Sequence, residues 1–99
     1  MNKKQRQYLR GLAHHLQPLA MIGQQGLTPT LIKAVNEVLS DHELVKVKIQ
    51  TTATVDRSEA ADELAKRCSA HLIQIIGKVI ILYRPNSKRP ADKRIILPK

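Results

Sequence analysis

Between Leu72 and Tyr83 the chain carries two runs rich in β-forming side chains, Leu72–Ile76 and Val79–Tyr83, with only Gly77-Lys78 separating them. Two residues are too few for a crossover, so the runs must fold back as antiparallel neighbours, and glycine in the first turn position matches a type II′ hairpin. The segment Leu44–Ile49 alternates after its start, setting Val45, Val47 and Ile49 on one face and Lys46 and Lys48 on the other, which reads as a half-buried strand. A shorter apolar run, Leu19 to Ile22, closed by Gly23, reads as a buried strand.

Helical spacing fills the intervals. From Lys3 to His15, the apolar residues Tyr8, Leu9, Leu12 and Ala13 recur three to four apart and Leu16 continues the series, while Lys3, Arg6, Arg10 and His14 lie on another face. This predicts an amphipathic helix with a basic stripe, weakened at Gly11 and stopped by Pro18. Thr28-Pro29 is a helix start, since the hydroxyl can cap free N–H groups and proline suits the first helical position; Leu31, Ile32, Val35, Val38 and Leu39 follow as its apolar stripe. The third helix starts at Asp56, where Asp-x-x-Glu resembles a capping box, and shows a small-residue face of Ala60, Ala61, Leu64, Ala65 and Cys68 suited to close packing. The order helix, strand, helix, strand, helix, strand, strand predicts a single α/β domain around a mixed four-stranded sheet. Residues 1–85 are expected to form it. The rest, 86–99, is rich in proline and cations without periodicity and reads as an extended or partly disordered basic tail that adds charge but not fold.

Charge narrows the function. Seventeen Lys and Arg against eight Asp and Glu leave +9, an excess spread over both halves, and folding does not require it. A polyanionic partner is expected. With Tyr8 and Tyr83 the only Phe, Trp or Tyr residues, the sequence argues against a broad aromatic stacking platform, and nucleic acid would be gripped by its backbone. A lone cysteine, Cys68, forms no intrachain disulfide, and no apolar stretch reaches the length of a signal peptide core or membrane span. A cytoplasmic protein without membrane association is therefore expected.

Gly23-Gln24-Gln25-Gly26 sits between a strand and the capped helix. Glycines let backbone approach a ligand closely, and the following helix N-terminus favours an anion such as phosphate. A tight turn that needs glycine only for its geometry is the alternative. The loop lacks the Gly-Lys-Ser/Thr ending of a Walker A motif and the glycine pattern of a dinucleotide fold. Cys68-x-x-His71 offers at most two of the four ligands of a structural zinc site, and no histidine has a matching nucleophile or carboxylate spacing. Neither catalysis nor any metal or cofactor is expected.

Four ordered blocks resemble the CRM domain, named for chloroplast RNA splicing and ribosome maturation, in its stand-alone bacterial YhbY form. They are Leu9-Arg10-Gly11-Leu12-Ala13-His14, Gly23-Gln24-Gln25-Gly26-Leu27-Thr28, Glu43-Leu44-Val45-Lys46-Val47-Lys48-Ile49, and Ile76-Gly77-Lys78 with Leu82-Tyr83-Arg84-Pro85. The resemblance implies a fold similar to the C-terminal domain of bacterial initiation factor three, and a Gly-x-x-Gly loop used on RNA as in KH domains. It further implies a non-enzymatic protein that binds ribosomal RNA and associates with precursors of the large ribosomal subunit; independently of the resemblance, a monomer is expected. Carried onto this sequence, the RNA-binding positions are Gly23, Gln24, Gln25, Gly26 and Thr28 with Arg10, Lys46, Lys48, Lys78 and Arg84. Many relatives place Lys or Arg between the glycines, whereas this loop has two glutamines. Phosphate contact would then rest on backbone N–H groups, glutamine amides and neighbouring cations. The competing reading is a small basic adaptor that docks on a ribosomal or RNA-processing protein, with RNA attraction incidental.

Overall fold

Each long helix begins where a side chain satisfies its free N–H groups. The computed structural model describes residues 1–99 and gives, in chain order, α1 (Lys3–Ala13), β1 (Ala20–Ile22), α2 (Pro29–His42), β2 (Leu44–Ile49), α3 (Arg57–Arg67), β3 (His71–Ile76), β4 (Val79–Tyr83) and a short 3-10 turn at Ala91–Lys93. Thr28 Oγ1 accepts from Leu31 N at 3.1 Å and Asp56 Oδ1 from Glu59 N at 2.9 Å, as their spacing predicts. At α1 the cap is Asn2, whose Oδ1 accepts from Gln5 N at 2.8 Å while Gln5 Oε1 accepts from Asn2 N at 3.1 Å, a reciprocal capping box. The α1 helix ends at Ala13, two residues before the expected His15, and the chain crosses Pro18 into β1. None of the helices is long and apolar enough to cross a membrane.

The four strands form one mixed sheet in the order β1-β2-β4-β3, with β1 parallel to β2 and the other pairs antiparallel. The β3–β4 hairpin turns on Gly77 at φ 55°, and Lys78 stays out of the left-handed region, as a type II′ turn requires. One face of the sheet, with Val45, Val47, Ile49, Ile80 and Leu82, packs against Val35 and Leu39 of α2 and the small-residue face of α3. The other face carries a second core, in which Leu9 and Ala13 of α1 meet Leu44, Ile73, Ile81 and Tyr83. A register shift between Leu72 and Gln74 accompanies the burial of Ile73 in this second core.

The C-terminal segment departs from expectation. It is irregular, as its composition predicts, yet it is docked on the body and not a free tail. Ile95 and Leu97 pack on the α1 core without forming a strand, and Pro98 O accepts from Gln5 Nε2 at 3.0 Å. The anchor is Glu43, the one buried charged side chain, with no solvent exposure. Its carboxylate accepts from Asn86 N at 2.8 Å, Ile95 N at 2.8 Å and Arg89 Nη1 at 3.0 Å. Its own N–H donates to Leu39 O and its carbonyl accepts from Arg84 N, each at 2.8 Å. These bonds hold Glu43 at φ 65°, where a side chain is strained. Sequence spacing cannot reveal this, because the partners lie more than forty residues away.

Glu43→Ala should therefore lower stability by about 2–4 kcal/mol, since it leaves buried donors and a mostly buried guanidinium unpaired. Glu43→Gly removes the same carboxylate but relieves the backbone, so chemical denaturation should find it about 1 kcal/mol more stable than the alanine variant. Equal stabilities would show that the backbone at this corner is unstrained.

Candidate nucleic-acid interface

The GQQG loop follows directly from the end of β1. Gly23 and Gly26 face each other in an isolated antiparallel bridge, with Gly26 N donating to Gly23 O at 3.1 Å. Gly26 adopts φ 74°, which favours glycine, and a Cβ on Gly23 would meet Gln50 Oε1 at 3.3 Å. Geometry alone therefore accounts for Gly26, whereas at Gly23 a small shift of the Gln50 side chain would admit a Cβ. The loop has a further property: Gln24 and Gln25 are exposed at its tip, and the backbone N–H groups of Gln24, Gln25 and Leu27 have no intramolecular partner. They border an open cavity of about 500 Å³ lined by Met21, the four loop residues, Thr28, Leu31 and Gln50. Free N–H groups beside a helix N-terminus are what an anion requires.

The sheet brings two of the candidate lysines to this end. Lys48 pairs with Met21 across β1 and β2, and Lys78 O accepts from Ile49 N at 2.7 Å, so hairpin and loop lie at the same edge. Arg57, at the start of α3, ties this edge together by donating to Gly77 O at 2.6 Å. Lys46 lies further along the α1 face, where its Nζ donates to Leu16 O at 3.1 Å, and the half-buried Arg10 sits in the last turn of α1. Thr28 lines the cavity, but its hydroxyl oxygen is engaged as the helix cap. Arg84 is a correction. It lies at the opposite end of β4, where its guanidinium donates to Asn36 Oδ1, Asn36 O, Cys68 O and Ser40 Oγ within 2.7–3.0 Å. With those acceptors engaged, Arg84 holds α2, α3 and β4 together and is not free for a ligand.

The charges separate by layer. In α2 and α3 with its cap Asp56 there are four cations, Lys33, Arg57, Lys66 and Arg67, and six acids, leaving −2. The remainder holds thirteen cations and two acids, Glu43 and Asp92, leaving +11. The signal was present in the sequence, since no acidic residue precedes Glu37. The cationic excess therefore lies outside α2 and α3, and all of it but Arg84, whose guanidinium reaches onto those two helices, is free of that layer's acids.

Cys68 and His71 do not converge. Cys68 is buried in the core beneath α2 and α3, whereas His71 stacks on Tyr83, a residue of the opposite core, with ring centroids 6.2 Å apart. Burial raises the Cys68 thiol pKa above its usual value, with Arg84 opposing the shift. Burial also raises that of the Tyr83 phenol, Glu43 adding to the effect and Arg94 opposing it. Both groups hold their protons longer in the folded chain, so their contribution to stability is complete below the unfolded pKa and is lost as pH rises through the folded one. Denaturant titrations should show stability declining from the thiol range upward, and Cys68→Ala should delay the onset to the phenol range. An unchanged onset in that variant would exclude the thiol as a cause.

A mixed four-stranded sheet with α2 and α3 on one face and α1 on the other, carrying a Gly-x-x-Gly loop at the end of its first strand, defines a small α/β domain. The sequence matches the CRS1 / YhbY (CRM) domain over residues 1–84, and the chain belongs to that family. It is 34% identical to a Haemophilus influenzae protein named "RNA-binding protein", over 100% of this chain and 96% of that one. It is 36% identical to the Bacillus subtilis "Probable RNA-binding protein YqeI", over 96% of each. The solution structure of SAV1595 from Staphylococcus aureus superposes with a TM-score of 0.81 at 36% identity, covering 99% of both chains.

Proposed function

We propose that this protein binds RNA without catalysis, taking ribosomal RNA in precursors of the large ribosomal subunit as a cytoplasmic assembly factor. The observation that carries the reading is the juxtaposition of free loop N–H groups with Lys48 and Lys78, in a chain whose residues outside α2 and α3 sum to +11. Backbone amides of Gln24, Gln25 and Leu27 receive a phosphate oxygen, the glutamine amides add donors, and the lysines supply the charge the loop lacks. Arg10 and the α1 lysines extend the grip along the strand. The names of the two curated relatives support RNA as the ligand.

Engaging about four to six phosphates gives a log–log salt slope near −3 to −4 on a single strand. Gln24→Glu with Gln25→Glu keeps both glycines and adds two negative charges at the loop. It should weaken binding roughly ten-fold or more at low salt, without lowering the melting temperature. Lys66→Glu makes the same change in net charge on the exposed α3 layer and should matter far less. If both variants bind equally well, the loop is only a turn. For the target, RNA crosslinked to the protein in cells should be enriched in large-subunit ribosomal RNA precursors, and recovery of unrelated transcripts would overturn that assignment.

A further inference from the structure

The α1 face of the sheet is covered only in part. Helix α1 seals Leu44, Ile73, Ile81 and Tyr83, toward the end of the sheet remote from the GQQG loop. Nearer the loop, strand register lines up Ile76, Val79, Lys48 and Met21 as one row crossing all four strands, because Ile76 pairs with Val79, Val79 with Lys48 and Lys48 with Met21. Paired residues point to the same face. Ile76 is 54% exposed and Met21 52% exposed, Lys48 is exposed, and Val79 is half-buried.

A row crossing the loop end of the sheet with its isoleucine and methionine left open is a feature folding alone does not explain. Two observations indicate its occupant. Lys48 stands within the row and Lys46 is two residues back on the same strand and face, while every acidic residue of α2 and α3 lies in the layer on the opposite face. The row is also continuous with the loop, because Met21 lines the GQQG cavity and touches a second shallow cavity together with Lys48. A ligand on this face must be anionic, must reach the loop and must present flat apolar groups to isoleucine, valine and methionine. Single-stranded RNA does all three.

Resting on the RNA-binding reading above, we propose that the row Ile76–Val79–Lys48–Met21 is a nucleobase platform: the loop holds phosphate while two or three following bases lie across the sheet. Four strands at the usual spacing span about 14 Å, and four-stranded RNA-binding sheets take two or three bases. The surfaces here are aliphatic, so the bases are packed by apolar contact and not by aromatic stacking, and base identity is read weakly.

The test uses the full chain with an oligouridylate containing 4-thiouridine and an abasic ribose-phosphate chain of equal length. Irradiation of the oligouridylate complex should crosslink peptides containing Met21 and Ile76; crosslinks confined to α1 and residues 86–99 would overturn the platform. Ile76→Thr, at a residue that does not line the loop cavity, should weaken oligouridylate binding roughly three-fold or more and leave the salt slope and the abasic affinity at parent values. No loss, or equal loss on both probes, refutes the inference, as does a variant that instead abolishes self-association seen with the parent in sedimentation. If the parent binds neither probe, the RNA-binding reading falls with it. If the parent binds both with a steep salt slope while the platform results fail, only the platform is lost.

Discussion

Glu43 is where three parts of the chain are made to agree. It ends α2, begins the turn into β2, and takes into its carboxylate the N–H groups of Asn86 and Ile95 and the guanidinium of Arg89. A buried carboxylate is tolerable only when each exposed lone pair finds a donor, and the chain supplies them from residues 86–95. The consequence passes through Arg84, whose N–H meets the Glu43 carbonyl while its guanidinium fastens Asn36, Ser40 and the last turn of α3. Helix α2, the end of β4 and the C-terminal segment thus share one polar junction at the end of the sheet away from the GQQG loop. That loop end carries only short local ties, such as Arg57 to Gly77 O, and its tip N–H groups stay free.

Arginine and lysine divide the work. Of seven arginines, five donate hydrogen bonds to the protein itself: Arg6 to Leu72 O, Arg57 to Gly77 O, Arg67 to Glu63, and Arg84 and Arg89 at the Glu43 junction. Of ten lysines only Lys46 does so. A rigid fork with several donors suits a fixed set of carbonyls, whereas a flexible ammonium stays hydrated and loses little by remaining free. The mobile cations available to a polyanion are therefore chiefly lysines, which favours tolerance of ligand shape over fixed base readout.

Much of this architecture was legible because it is local. The alternation of Val45, Val47 and Ile49, the Thr28-Pro29 start and the two-residue Gly77-Lys78 turn each report geometry within a few residues, and all three appear where their spacing places them. The Asn2-Gln5 box is equally local, an Asn followed three residues later by Gln being a recognisable start. What stayed hidden depends on distant partners. Nothing about Glu43 or Arg84 in isolation distinguishes a buried junction from a solvated surface pair, and Ile95 and Leu97 gain their role only when α1 lies beneath them. For the site, the loop was evident from its glycines, whereas the row from Ile76 to Met21 exists only once the register of four strands is known.

The separation of charge by layer changes how strongly the molecule is felt. Its shortest dimension is 22 Å, while salt at physiological concentration attenuates exposed charges over about 8 Å. An anion approaching the α1 side is thereby shielded from the acids of α2 and α3 and encounters the local surplus, not the net +9. The two layers also form a permanent dipole, so the field of a polyanion exerts a torque before contact and turns the cationic side toward it. Fewer collisions are wasted on the wrong face, and dilution of salt accelerates arrival more than it delays departure.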